Sequence, residues 1–290
     1  MHPLVSIITV NFNQKDVTLS LLESLRYISY KNVEIFVVDN ASKENPRADI
    51  LALYPEVNVI CSDKNLGFAG GNNLAIKQAK GKYIMFLNND TEVMPRFLEP
   101  LVQVMENDVS VGICSSKLHF YAHPNILQFA GSSPLHPVKI QSFARGYGQE
   151  DSKQFDEVKE TALAHGAAML VRLGAIQKAG LMPEEYFLYY EEIDWCERIK
   201  KEGYKIMFVP DSLVMHKESI SIGKQSYIQV FYKTRNRILL ARKWRSGFTK
   251  LLSLAYLTLA VFRDILKYAT KGKSELVKAS WKAWCWNLTN

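Results

Sequence analysis

Leu4-Val5-Ser6-Ile7-Ile8-Thr9-Val10 is a short, β-branched apolar run, and the polar Asn11-Phe12-Asn13-Gln14 follows it directly. A run apolar on both alternating faces fits a strand buried in a parallel sheet. The pattern repeats at residues 33–38, 57–61 and 83–87. Helical segments fall between these runs. Asp16 is placed to cap one whose apolar positions Val17, Leu21, Leu22 and Leu25 recur at helical spacing, and residues 46–53 and 71–80 give two more. Repeated β-α units without hairpin signals predict an α/β fold, with a mostly parallel sheet flanked by helices and ligands beyond the strand C-termini.

The rest is less regular. Strands are expected at 109–118, 167–171 and 204–209, and helices at 173–179, closed by Gly180, and at 191–201, ended by Gly203. The Gly-, Pro- and Ser-rich stretch 125–148 reads as loop, and everything after His216 reads as helical and basic. The chain therefore divides into a catalytic domain, 1–216, and a helical extension, 217–290. Charge follows the same division: 21 Lys and Arg face 26 Asp and Glu in the first part, against 15 and 3 in the second. Such asymmetry points the extension at an acidic surface. The N-terminus has neither a charged leader region nor a cleavage site, so no signal peptide is expected. Cys61, Cys114, Cys196 and Cys285 form no CxxC pair, which excludes a zinc ribbon and a disulfide framework and makes a reduced, cytoplasmic setting the default.

Four motifs carry chemistry. Asp39, followed by Asn40, closes the apolar run before it, where a carboxylate can accept hydrogen bonds from a base or ribose; a turn or helix cap is the competing use. Asn65-Leu66-Gly67-Phe68-Ala69-Gly70-Gly71-Asn72-Asn73 is glycine-rich ahead of a helix, so its amides could approach a diphosphate. Its spacing is not that of a dinucleotide fingerprint. Asn88-Asn89-Asp90 follows the fourth strand, where a carboxylate could hold a divalent cation. Glu191, Glu192, Asp194 and Glu197 put four carboxylates in seven residues beside Tyr190, Ile193 and Trp195. A helix dipole accounts for one or two of them, while crowding raises a pKa, as suits a general base. His216, after an apolar run, is a candidate metal ligand.

In this order, the motifs resemble the family 2 inverting glycosyltransferases of the GT-A fold, and within them the bacterial rhamnosyltransferase-type branch of cell-surface polysaccharide assembly. The resemblance spans roughly residues 4–245. It implies that Asp39, Asn40 and the backbone near Val10 and Asn11 contact the nucleotide. Asn65, Gly67 and Asn72 would line the nucleotide and sugar, beside Asn88 and Asn89. Asp90 and His216 would bind Mg2+ or Mn2+. Asn88 stands where the family's aspartate-x-aspartate motif begins, which leaves fewer charged ligands. Glu192 matches the catalytic base, usually aspartate, with Glu191 and Asp194 as substitutes. The donor would be a dTDP- or UDP-linked sugar, rhamnose first, and the acceptor a saccharide or lipid-linked glycan.

The extension mixes Trp244, Trp281, Trp284 and Trp286 with lysines, and its apolar stretch 251–262 is well short of the ~20 residues that span a bilayer. Peripheral attachment to the anionic inner face of the cell membrane is expected. Packing on the catalytic domain or a homodimer interface is the alternative. A nucleotidyltransferase should carry a basic phosphate loop where Asn11-Phe12-Asn13-Gln14 stands. A nucleic-acid-binding module is disfavoured by the acidic first 216 residues, and a sugar-nucleotide-binding scaffold without activity is a further alternative.

Overall fold

The computed structural model describes residues 2–217 and 226–290. Three β-α steps and a fourth strand begin the chain: β1 (Val5–Asn11), α1 (Lys15–Arg26), β2 (Val33–Asp39), α2 (Arg47–Leu53), β3 (Asn58–Cys61), α3 (Gly67–Ile76) and β4 (Tyr83–Leu87). These strands pair in parallel in the order β3-β2-β1-β4, with Asn11 beside Asp39 in register. The chain winds outward from β1 to β3 and then returns to place β4 on the other side of β1. The switch point lies between β1 and β4, so the residues just past their C-terminal ends face a crevice.

The sheet continues through β5 (Thr91–Val93), α4 (Leu98–Asn107), β6 (Val111–Phe120), β7 (His123–Phe129), β8 (Lys159–Glu160) and β9 (Ala168–Arg172), followed by α5 (Leu173–Ala179) and α6 (Glu191–Lys201), then β10 (Lys205–His216). The full order is β3-β2-β1-β4-β9-β6-β10-β5, with β7 and β8 pairing β6 and β10. Parallel pairing is concentrated in the first half. Beyond β4 the sheet is mixed, because β9 runs antiparallel to both its neighbours and β5 antiparallel to β10. Residues 125–129, expected as loop, belong to the β6–β7 hairpin, which turns through Tyr121 and Ala122 without the Gly or Asn-Gly that marks a tight turn. β10 also runs further than expected, past the irregularity at Pro210, to end on His216.

Strand residues alternate between two cores. Val5, Ile7, Tyr83, Met85 and Leu87 pack with Leu21, Leu22 and Leu25 of α1 and Leu98 and Leu101 of α4. Ile8, Val38, Ile84 and Phe86 pack on the opposite face with α3, α5 and α6. Each large side chain taken fully from water contributes about 1.5–3 kcal/mol, so the period-2 pattern fixes which face each strand offers. Trp195 is fully buried, edge-on to Phe86 with its indole N–H on the Gly180 carbonyl at 2.9 Å; it is core. Asp16 lies in the first turn of α1 rather than capping it, and Gln14 takes the position before the helix.

Three helices complete the chain: α7 (Tyr227–Trp244), α8 (Gly247–Thr270) and α9 (Ser274–Thr289). The proposed boundary at 216 adjoins residues 218–225, outside the described residues. Ile238, Leu240 and Ala241 of α7 and Leu257 and Val261 of α8 form a third apolar cluster with Ile140 and Tyr186 of the preceding domain. One face of the extension therefore packs on the rest of the chain.

Candidate active site

Asn11, Asp39 and Asn40 sit at adjoining strand ends and are almost wholly buried. Asn11 Nδ2 donates to Asp39 Oδ1 at 2.8 Å, and Ser42 donates to the same carboxylate through its hydroxyl (2.5 Å) and its backbone N–H (3.2 Å). Thr18 closes the network, with its hydroxyl on Asn11 Oδ1 at 2.9 Å while Asn89 Nδ2 donates to Thr18 Oγ1 at 3.2 Å. The rotamers on the donor side are thus set by one another before any ligand arrives.

The glycine-rich segment does something other than expected. Helix α3 begins at Gly67, four residues before the expected 71, so Asn72 stands inside it with its amide on the Phe68 carbonyl at 2.9 Å. The amides at its start are already engaged: Leu66 N–H by Asn40 Oδ1, Gly67 N–H by Asn65 Oδ1 and Phe68 N–H by the Phe187 carbonyl. Gly67 has a φ of 71°, and a Cβ there would stand 2.0 Å from that carbonyl. The glycine at 67 admits neighbouring protein: Asn65 and Gly67 accept from Asn40 Nδ2 at 3.0 Å and hold it against the Phe187 turn, while Asn72 bonds within its own helix.

Asn88-Asn89-Asp90 forms the turn from β4 into β5, and the pairing of Thr91 with His216 brings the end of β10 alongside. His216 Nε2 lies 3.1 Å from Asp90 Oδ1 across 126 residues of sequence, and both residues are buried. The other ring nitrogen stands 2.7 Å from Gln128 Oε1. With that amide oxygen as acceptor, Nδ1 carries a proton and Nε2 is left to face the carboxylate oxygen. A second ring proton or a cation satisfies that approach, and a carboxylate with an oriented imidazole suits a divalent metal. Among the described residues no set of three or more His, Cys, Asp and Glu side chains could hold a metal. Water and the ligand's own oxygens would have to complete the coordination, in keeping with Asn88 in place of a carboxylate.

Turn 184–190 presents the carboxylates. After a 3-10 turn at Glu184–Tyr186, Phe187, Tyr189 and Tyr190 all take positive φ (60°, 67° and 76°), immediately before α6. Bulky residues there carry about 1–3 kcal/mol of strain each, which persists only where the surroundings over-determine it. Asn236 of α7 supplies that hold: its buried amide donates to the carbonyls of Tyr186, Leu188 and Tyr189 at 2.8–2.9 Å. Arg235 donates to Glu185 O and, at 3.0 Å, to Tyr186 O.

The three candidate bases part company here. Asp194 is fully buried, with Lys243 (2.6 Å), Trp244 Nε1 (2.8 Å) and Arg198 (3.2 Å) on its two oxygens. It anchors the extension, and both its oxygens are occupied. Glu191 is buried with Oε2 lacking any partner among the described residues, and burial, then Glu192, hold its pKa well above the carboxylate range. Glu192 is half-buried; burial raises its pKa too, while Lys233 of α7 pulls the other way. Of the pair, only Glu192 is open to a substrate.

His165 lies between the Asp90–His216 pair and Glu192, and its sequence context gave no sign of it. Its ring meets His216 edge-on at 5.9 Å, and a Cβ on Gly166 would lie 3.7 Å from the Glu192 side chain. Its Nδ1 accepts from the Ala167 N–H at 3.1 Å, and burial, with His216 adding, pushes its pKa down to about 3, so the ring is neutral. Gln128 and Asn236 were missed as well. An amide is useful here only through a partner about 50 or more residues away.

A carboxylate–histidine pair and a raised-pKa glutamate past the strand ends of an α/β sheet suit a nucleotide-sugar transferase. Residues 6–176 match the family described as Glycosyl transferase family 2, and the chain belongs to that family. It is a glycosyltransferase. It is 26% identical to the dTDP-rhamnosyl transferase RfbF of Shigella flexneri over 94% of this chain and 90% of that one. It is 22% identical to the N-acetylglucosaminyl-diphospho-decaprenol L-rhamnosyltransferase of Mycobacterium tuberculosis, over 96% and 99%. In fold it is similar to the mannosyltransferase PcManGT of Pyrobaculum calidifontis, solved with GDP-Man and Mn2+, at a TM-score of 0.60 and 14% identity over 100% and 76% of the two chains. The structure of GalNAc-T7 with UDP, GalNAc and Mn2+ gives 0.69 and 17%, over 97% of this chain and 55% of that one. The expected GT-A architecture is the one these neighbours share.

Proposed function

We propose that this glycosyltransferase transfers a sugar, rhamnose first among the candidates, with inversion from a dTDP- or UDP-linked donor to a lipid-linked saccharide in cell-surface polysaccharide synthesis. The observation that carries the reading is the approach of Asp90 to His216, which His165 and Gly166 link to the open carboxylate of Glu192. Asp39 and Asn11, locked by Ser42 and Thr18, face the nucleotide. Asp90 and His216 would hold Mg2+ or Mn2+, which supplies neutralising charge to the departing diphosphate. Neutral His165 stands next to them, where it can donate a hydrogen bond without adding charge. Glu192, kept basic by its raised pKa, takes the acceptor hydroxyl's proton as that oxygen attacks the anomeric carbon from the face opposite the diphosphate. Inversion follows from a single displacement. The relatives named as rhamnosyltransferases, one of them for a decaprenol-linked acceptor, support the sugar and the acceptor class. A lipid-linked acceptor would place the chain at the inner face of the cell membrane.

A donor screen tests this. Thermal shift with dTDP-rhamnose, UDP-glucose, UDP-galactose and GDP-mannose, with Mn2+, Mg2+ or chelator, should single out one donor whose effect needs the cation and is lost in Asp90→Ala. Equal shifts with and without cation would contradict the metal assignment. No shift with any donor would contradict the donor assignment, and a shift without release of nucleoside diphosphate would favour the inactive scaffold.

A further inference from the structure

Helix α8 has two apolar faces. Ser253, Leu257, Ala260 and Val261 are buried on one, and the Ser253 hydroxyl donates to the Val138 carbonyl at 2.8 Å. The opposite face shows Phe248, Leu252, Ala255, Leu259, Phe262 and Leu266, spaced by three or four residues, with Leu251 alongside. At ~100° per residue these positions fall within a stripe roughly 100° wide, and at ~1.5 Å per residue they extend about 27 Å. The side chains are bare: Phe248 is 73% exposed, Leu251 67%, Leu259 70% and Leu266 69%. Elsewhere the exposed large apolar side chains of the described residues are mostly scattered, as on any soluble surface. Through Phe262 the stripe reaches α9, where Trp281 lies 6.4 Å away, centroid to centroid, and is itself half-exposed.

We propose that this face of α8, with Trp281, is a docking surface for an anionic lipid bilayer, on which the helix lies in the plane of the interface. Charge selects the occupant. Arg263 and Lys267 border the stripe, Lys271 follows the helix end and Lys282 flanks Trp281, all exposed. Over residues 217–290, Lys and Arg outnumber Asp and Glu by 15 to 3. A second copy laid against α8 would bring these cations together, whereas acidic headgroups would complement them. Among the described residues no helix is long and apolar enough to cross a membrane, which leaves the interfacial orientation. The apolar stripe supplies insertion and the lysines supply attraction.

The test is flotation of the full chain with phosphatidylcholine vesicles, with and without phosphatidylglycerol. It should bind the anionic vesicles, bind the neutral ones far less, and lose at least about tenfold in affinity on Leu259→Asp/Leu266→Asp. Lys267→Glu/Lys271→Glu should weaken binding to anionic vesicles alone. Circular dichroism and melting temperature report that these exposed positions leave the fold intact. No anionic-vesicle binding, or binding indifferent to the stripe, would overturn the proposal. So would light scattering that shows a dimer dispersed by Leu259→Asp/Leu266→Asp in a chain that ignores vesicles.

Discussion

The donor side and the carboxylate turn are built on different principles. Asn11 and Asp39 end apolar strands and Asp90 follows one by three residues, so burial of the strands is what positions them. Glu191 and Glu192 follow a turn with three strained residues, and that turn is held by Asn236 and Arg235, some 50 positions later in the chain. The strand-end residues are positioned by the sheet. The two glutamates follow a turn that the helical extension holds, so the part of the chain that looks most like an appendage helps to build the candidate site.

The sharpest way to break this contrast is at the base itself. Glu192→Gln should lower turnover by ~10²–10⁴-fold while leaving cation-dependent donor binding intact, read by steady-state rates beside calorimetry. If Glu191→Gln alone gave that loss, the two glutamates would exchange roles. Next is the hold on the turn. Asn236→Ala removes the amide donor that three carbonyls share, the Tyr186 one keeping Arg235, and should remove about 2–4 kcal/mol of stability in urea unfolding. It should slow turnover more than it weakens donor binding, because the strand-end residues do not depend on α7. Smaller again is Asp194→Asn, which unbalances Lys243 and Arg198. About 2 kcal/mol should be lost, less than for a fully buried pair because Lys243 keeps 30% of its side-chain surface exposed. Catalysis by the folded fraction should be unchanged; a collapse of turnover at full stability would return Asp194 to the list of bases.

The pH profile gives the mildest test. Both glutamates have raised pKa values, so the folded chain holds their protons to higher pH than the unfolded chain does. Their contribution to stability is present below the unfolded value and is lost as pH rises through the folded one. Activity runs the other way, because the base must be ionised. Turnover should climb with pH through an apparent pKa above the ordinary glutamate value, and Glu192→Gln should flatten that limb.

The same contrast decides how much was legible in the sequence. β1, β2, β4, α5 and α6 fall within a residue or two of expectation, because burial and a closing glycine are local signals. Asp90 and His216 could be named individually, but only the β5–β10 pairing shows that they meet. The glycines at 67 and 71 mark close approach without saying what approaches. Here it is the Phe187 carbonyl and Val10. The choice between Glu192 and Asp194 was hidden for a related reason: Lys243 and Trp244 neutralise Asp194 from 49 and 50 residues away.

Release of nucleoside diphosphate, followed with the responding donor and a saccharide acceptor in wild type, Asp90→Ala and Glu192→Gln at several Mn2+ concentrations, tests the central claim most directly. The account predicts cation-dependent release in wild type and residual release in both variants, with donor affinity lost in Asp90→Ala and retained in Glu192→Gln. Wild-type rates in Glu192→Gln, or loss of donor affinity in both variants alike, would contradict the division of labour between strand ends and turn.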